Sequence, residues 1–128
     1  MNLDNLFEFD ISNGNANITD LLMNDFEFVK KIDLSGNIFK GTTQEIDIRV
    51  ASTRLETLNF SKMQLNREHC DKILAQIWNR KANAKRNFIV DLSQNFCSWS
   101  QDQINQINGK GPYLGNGLKD KWGILFKI

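Results

Sequence analysis

Apolar and polar residues alternate in four short stretches of the chain, and each stretch runs into a polar turn. The stretches span residues 6–14, 29–37, 55–63 and 87–95. Each approximates the pattern apolar-x-x-apolar-x-apolar-x-x-Asn, with anchors at Ile11, Leu34, Phe60 and Leu92. Strict alternation predicts short strands that turn one face inward. Because the anchors recur after 23, 26 and 32 residues, we expect a repeat in which all four are buried on adjacent, parallel strands.

The longest interval between anchors contains a helical pattern. Asn66 is a suitable N-cap, and the apolar residues after it recur at helical spacing. They are Cys70, Ile73, Leu74, Ile77 and Trp78. The pattern predicts a helix over residues 67–80 that packs on the convex side of the sheet, away from the open strand face.

The remaining connections give weaker patterns. A capping box at Ser100 predicts a second helix that ends at Gly109. Residues 18–23 are interpreted as one helical turn, whereas the alternation of Ile46, Ile48 and Val50 favours a strand. Glycines and the single proline indicate a loop over residues 108–117.

The end of the chain alternates again over residues 121–128 and predicts a fifth strand, with Phe126 as its anchor. A short stack of strands exposes its two ends unless they are capped. Self-association through this terminal strand is therefore one expected mode of interaction.

Composition and charge are those of one ordinary globular domain over residues 1–128. The chain is 41% hydrophobic and 24% charged, with a net charge of +1, so its charge gives no bulk attraction to nucleic acid or to an anionic membrane. The amino-terminal residues lack the pattern of a signal peptide, and no apolar run could span a bilayer. We expect a cytoplasmic or virion-associated protein in which Cys70 and Cys97 are free, buried thiols.

Two hexapeptides carry a resemblance to a known family. IDLSGN at 32–37 and VDLSQN at 90–95 resemble leucine-rich repeats, and the chain from residue 55 onward is similar to short repeat modules of phage and bacterial structural proteins. The resemblance implies an α/β solenoid with a parallel sheet of four to five strands and one main helix on its convex side. It also implies a non-enzymatic protein-interaction or assembly module, such as a phage or phage-like structural protein. In such repeats Asn37 and Asn95 would bond free backbone groups at the turns.

Catalytic motifs are absent from the sequence, and no cofactor or metal site is predicted. His69 and Cys70 are helical neighbours whose side chains point about 100° apart, so we interpret His69 as an exposed histidine beside a buried cysteine. A small enzyme that uses Cys70 or an acidic row, or an inhibitor of a host enzyme, remains the alternative. The basic cluster at residues 80–86 is interpreted as a solvated loop, with no nucleic-acid or membrane partner expected.

The repeat register places like residues in rows on the outward strand face. Three rows follow: Ser12, Ser35, Ser61 and Ser93; Asp10, Asp33, Asn59 and Asp91; Glu8, Lys31, Thr57 and Ile89. Closely spaced carboxylates could accept cationic side chains of a protein partner, or a hard cation. We take the first as the working hypothesis. The predicted binding residues are Asp10, Asp33, Ser35, Asn59, Ser61, Asp91 and Ser93.

Overall fold

The computed structural model describes residues 8–23, 28–49 and 54–128, which form an α/β arrangement of short strands and helices. In chain order the elements are β1 (Glu8–Asp10), β2 (Asn17–Ile18), β3 (Leu21–Met23), β4 (Lys31–Asp33), β5 (Ile38–Phe39), β6 (Ile46–Ile48), β7 (Thr57–Asn59), α1 (Arg67–Asn79), β8 (Ile89–Asp91), α2 (Gln101–Asn108), α3 (Leu118–Trp122) and β9 (Leu125–Lys127). Short 3₁₀ turns at Thr43–Glu45, Lys81–Asn83 and Gly111–Tyr113 complete the connections.

The main sheet has five strands in the order β1-β4-β7-β8-β9, and every neighbouring pair is parallel. The predicted parallel pairing of the four repeats, with a fifth strand at the end of the chain, is therefore confirmed. The register is also the predicted one for the four repeats, since Asp33 lies opposite both Asp10 and Asn59. Phe126, however, lies opposite Val90 and not opposite the anchor Leu92.

The anchors of the inner strands fill the core, but the anchor of the first strand does not. Leu34 and Phe60 are fully buried, and Leu92 is 1% exposed. Ile11 is 42% exposed, so the prediction that it is buried is wrong. The reason is its position, because β1 is an edge strand and within the described residues no further strand lies beside it.

Two small parallel sheets close the first two repeats behind the main sheet. β2 pairs with β5, and β3 pairs with β6. The predicted helical turn at residues 18–23 is wrong, because Leu21 and Met23 point into the core from a strand that pairs with Ile46 and Ile48. The predicted strand around residue 46 is confirmed; Val50 lies outside the described residues.

Helix α1 begins after the predicted N-cap and covers the core from behind. The Asn66 side chain accepts a hydrogen bond from the His69 backbone N–H, as an N-cap residue does. Ile73 and Ile77 are fully buried, whereas Leu74 and Trp78 are half-buried. The helix packs against β6, so the predicted helix and most of its buried face are confirmed.

His69 is buried, with 8% of its surface exposed, and the interpretation of an exposed histidine is wrong. It occupies the third position of α1, from which its Nδ1 turns back to accept the Asn66 backbone N–H. Its Nε2 lies 3.2 Å from the Gly41 carbonyl oxygen, and its ring meets the edge of Phe39. The His69 side chain thus links the N-terminus of α1 to the preceding repeat.

Asn37 and Asn95 tie successive repeats together, as expected for the residue that ends each strand-and-turn unit. The Asn37 side chain donates to the carbonyl oxygens of Ile11 and Leu34. That of Asn95 donates to the carbonyl oxygens of Phe60 and Leu92. Each amide therefore bonds its own repeat and the one before it.

Cys70 and Cys97 form a disulfide that joins α1 to the segment after β8. Their Cα atoms are 5.4 Å apart, within the range that a disulfide requires, and both residues are buried. The expectation of two free thiols is therefore wrong. The helix and the turn are far apart in sequence, and only the packing of the repeats brings the two sulfurs together.

The carboxyl-terminal segment contains a helix that the alternation did not predict. Residues 118–122 form α3, whereas the expected strand over 121–128 is confined to Leu125–Lys127. Gly123 ends α3 in the left-handed conformation, with a φ of 68°, which a glycine adopts without a side-chain penalty. The predicted helix that follows Ser100 and ends at Gly109 is confirmed.

Candidate functional site

Each strand of the first four repeats ends in a turn built by its own polar residues. In β4, the Asp33 Oδ1 accepts the backbone N–H of Ser35 at 2.9 Å and its hydroxyl at 2.6 Å. In β8, the Asp91 Oδ1 accepts the same two groups of Ser93 at the same distances. Such side-chain bonds to the backbone two residues ahead fix the turn without help from the rest of the fold.

An amide makes the same turn as a carboxylate. The Asn59 Oδ1 accepts the Ser61 backbone N–H at 3.1 Å and its hydroxyl at 2.8 Å. The negative charge of Asp33 and Asp91 is therefore not required for the turn. Asp91 and Asp33 each keep a second carboxylate oxygen that bonds to no side chain or backbone group among the described residues.

The serine row is less exposed than the sequence predicted, because its hydroxyls take part in the turns. Ser35 and Ser61 are each 9% exposed, and their hydroxyls donate to the preceding Asp33 and Asn59. Ser93 is half-buried and bonds to Asp91 in the same way. The serine hydroxyls therefore shape the turns.

The outward strand face, here called the open face, consists of two rows of side chains. Its members are Glu8, Lys31, Thr57, Ile89 and Leu125 in one row, and Asp10, Asp33, Asn59, Asp91 and Lys127 in the other. All ten are exposed or half-exposed. The register confirms that the four residues of the predicted acidic row lie together on four neighbouring strands, which are about 4.8 Å apart.

Lys127 completes the acidic row and was not among the predicted site residues. It lies opposite Asp91, because the fifth strand is shifted by two residues relative to the sequence-based alignment of Phe126 with Leu92. Asn59 and Lys127 both reduce the repulsion among the carboxylates of the row. The alternation of the last eight residues indicated the strand, but its register came only from the packing.

The carboxylate of Asp10 is held in its charged form. The hydrogen bonds from the Ser12 side chain and backbone N–H lower the pKa of Asp10 below its ordinary value of 3.8. The first of the acidic positions is therefore ionised at neutral pH and remains so into mildly acidic solution.

The row that contains Lys31, Thr57 and Ile89 changes from charged to apolar side chains along the sheet. It is charged on the first two strands and apolar on the last two, where Ile89 and Leu125 are half-exposed. A small depression of about 140 Å³ opens between β1, β4 and β7, lined mainly by the polar members of both rows. The open face therefore offers carboxylates, a cation and apolar side chains within one surface.

A second hollow, of about 410 Å³, lies beside the amino ends of the strands. Lys31, Lys85 and Arg86 line it together with Glu56. The Lys85 Nζ lies 3.1 Å from the Glu56 carboxylate and lowers the pKa of that group. The basic cluster of the sequence is thus divided, since Lys81 turns away from this hollow and lies over the rings of Trp78 and Trp122.

A groove of about 400 Å³ separates α1 from α2. Leu74, Trp78 and Ile107 form its apolar lining, and Asp71 lies beside them. Asp71 accepts a hydrogen bond from the Trp99 ring N–H at 2.7 Å. The groove explains why the predicted apolar face of α1 is only partly buried.

The described residues contain no group of three or more His, Cys, Asp or Glu side chains that could hold a metal ion. Both sulfurs are joined in the disulfide, so neither Cys70 nor Cys97 presents a thiolate. Within the same ranges, none of the helices is both long and apolar enough to cross a membrane. Comparison with known proteins gave no match to a protein family, to a characterised protein or to a solved structure.

Proposed function

We propose that this chain is a non-enzymatic protein-interaction module, and that its partner binds to the open face. The observation that carries the proposal is the alignment of Asp10, Asp33 and Asp91 in one row whose members are exposed or half-exposed. Such a row attracts cationic side chains, and electrostatic complementarity of this kind guides a partner into register. A structural or assembly role, as in phage-like proteins, belongs to the same proposal.

We also propose that the fold is a short leucine-rich-repeat-like solenoid. Each repeat has a strand of the main sheet, an Asx-type turn and a returning connection on the opposite side. Support comes from the parallel strand order and from the amides of Asn37 and Asn95, which bond to two successive repeats. Folds with this construction leave the sheet face without a covering chain, which is where the proposed partner binds.

The mixture of groups on the open face favours a protein partner over a metal ion. Half-exposed Ile89 and Leu125 adjoin the carboxylates of the row, and apolar area beside charge is typical of a protein interface. In Asp33 and Asp91, one oxygen already accepts two hydrogen bonds from serine. Hard cations prefer several carboxylate oxygens that converge on one point, and a row along neighbouring strands does not converge.

A neutralising pair of substitutions tests the role of the row without disturbing the turns. Asp33→Asn with Asp91→Asn removes two charges, and the amide of Asn59 already forms the same turn. We expect this variant to fold normally and to bind its partner on the order of tenfold more weakly, because two ion pairs are lost. The reversal Asp33→Lys with Asp91→Lys should weaken binding further, and the affinity of the parent should fall with salt.

The measurement is capture of proteins from the native source by tagged full-length chain, quantified by mass spectrometry. A matched control is Glu68→Gln with Asp102→Asn, which removes two charges at exposed positions in the first turns of α1 and α2. Proteins held by the parent and the control but lost from the row variant support the proposal. If the row variant folds and retains every partner of the parent, the open face is not the binding surface.

A further inference from the structure

The two outer strands of the main sheet leave inward-facing apolar side chains uncovered. At the anchor position, Leu92 of the inner repeats is 1% exposed, whereas Ile11 after β1 is 42% exposed. Ile128 follows β9 at the equivalent position and is 47% exposed. Two residues earlier, on the same side of each outer strand, Phe9 and Phe126 are also only partly buried. The apolar core is therefore partly exposed to solvent at both ends of the sheet.

Backbone groups of the two outer strands also point away from the sheet. In a parallel sheet, alternate residues of a strand bond to neighbours on opposite sides. The Ile11 N–H donates to the Asp33 carbonyl oxygen, so Ile11 directs its backbone groups toward β4. The alternate residues Glu8 and Asp10 therefore direct their N–H and C=O groups away from the sheet. The Leu92 N–H donates to the Lys127 carbonyl oxygen, so Phe126 directs its backbone groups outward from β9.

The two outward edges are complementary if the sheet register continues from one copy of the chain to the next. The Phe126 N–H would then donate to the Glu8 carbonyl of the second copy, and the Asp10 N–H would donate to the Phe126 carbonyl. Phe126 would lie beside Phe9, and Ile128 beside Ile11, so that each covers the other from water. The contact would therefore bury apolar area and satisfy the backbone groups of both edges.

The charges at the two edges are complementary in the same register. Lys127 is the cation of the acidic row, and it lies on β9 at the position that faces Asp10 of a following copy. Both side chains are exposed. Opposite charges directly across two strands stabilise their pairing, and like charges oppose it.

We propose that copies of this chain associate end to end, with β9 of one copy pairing in parallel with β1 of the next. The two surfaces differ, so the contact is heterologous and leads to chains of variable length unless the rotation closes a ring. The junction uses only the outermost members of the acidic row, Asp10 and Lys127, and leaves Asp33, Asn59 and Asp91 of the open face free for the partner proposed above. Since each edge is short, the association is weak and depends on concentration.

Sedimentation velocity of the full-length chain over a concentration series tests this association. The parent should form larger species as its concentration rises. Asp10→Lys alone places two cations at every junction, and Lys127→Glu alone places two carboxylates there. Each single variant should require at least about tenfold higher concentration to associate, because an attraction is replaced by a repulsion.

Mixing the two single variants in equal amounts should restore association, because every junction between unlike copies again unites opposite charges. The double variant Asp10→Lys with Lys127→Glu should associate like the parent. Recovery on mixing also shows that both single variants are folded. A parent that remains monomeric at all concentrations overturns the proposal, as does association that the single variants leave unchanged or that mixing fails to restore. None of these outcomes depends on whether the open face binds a partner.

Discussion

Two regions of the molecule, residues 8–23 with 28–49 and residues 54–128, form the same kind of strand and turn but close it in different ways. In the first region, the chain returns behind the sheet through the short strand pairs β2–β5 and β3–β6. In the second, the helices α1, α2 and α3 take that place, and a disulfide joins α1 to the segment after β8. The strand-and-turn unit therefore determines how the strands of the main sheet pair. The length of each connection determines whether strands or helices cover the side of the sheet opposite the open face.

The two regions share one property, a core that is complete at the inner strands and open at the outer strand. In the second region the anchors Phe60 and Leu92 are buried, whereas Ile128 after the outer strand β9 is 47% exposed. In the first region Leu34 is likewise buried, and Ile11 after the outer strand β1 is 42% exposed. We infer that the anchors of the inner strands contribute more to the stability of the molecule than those of the two outer strands.

Truncation of equivalent anchors should give the largest contrast, between an inner strand of the second region and the outer strand of the first. Leu92→Ala should lower the free energy of unfolding by about 2–5 kcal/mol, because it leaves a cavity in a packed core. Ile11→Ala should cost less than about 1 kcal/mol, because Ile11 is already 42% exposed and its removal leaves no enclosed cavity. Denaturant titration measures both values. Equal losses in the two variants would contradict the inferred asymmetry.

Removal of the disulfide should have the next largest effect and should weaken the second region specifically. Cys70→Ala with Cys97→Ala should lower the free energy of unfolding by about 2–4 kcal/mol, because the unfolded chain is then no longer restrained by the 27-residue link. Thermal unfolding with and without a reductant measures the effect. Reductant should destabilise the parent and leave the double variant unchanged; a parent that does not respond to it would show that the two sulfurs are unlinked.

The smallest expected effect is the pH dependence contributed by Asp10 in the first region. Its pKa is lowered in the folded chain by the hydrogen bonds from Ser12. A lowered folded pKa means that the contribution is present above the ordinary value of 3.8 and is lost as pH falls through the lowered value. The variant Asp10→Asn has a side chain that can still form the turn but does not titrate. Its free energy of unfolding should therefore fall less steeply than that of the parent in acid, and parallel acid profiles would contradict the assignment.

The acidic row shows what could be predicted at the site. The D-x-S pattern around Asp33 and Asp91 is local in sequence, so both the turn and the register of the row followed from the repeat. The participation of Lys127 could not be predicted, because the fifth strand pairs two residues away from the alignment that its apolar residues suggested. The role of Ser35 was also misjudged, since its hydroxyl bonds to Asp33 and is not offered to solvent.

The disulfide and His69 show where sequence reasoning failed in the fold. Two cysteines without a spacing motif gave no indication of pairing, and only the packing of α1 against the segment after β8 brings the two sulfurs together. His69 carries a polar side chain at the start of an amphipathic helix, where exposure is the usual outcome. It is buried because its ring closes the helix N-terminus against Gly41 and Phe39 of the preceding repeat.

The sequence by itself determined the features that depend on neighbouring residues. Alternation placed the strands, the polar residues after them built the turns, and the caps at Asn66 and Ser100 began the helices, since each of these acts over only a few residues. Tertiary structure alone decided the features that depend on distant residues. The strand at residues 21–23, the exposure of Ile11, the disulfide and the position of Lys127 all follow from which repeat lies beside which, and pairing between segments far apart in the chain leaves no periodic trace in the sequence.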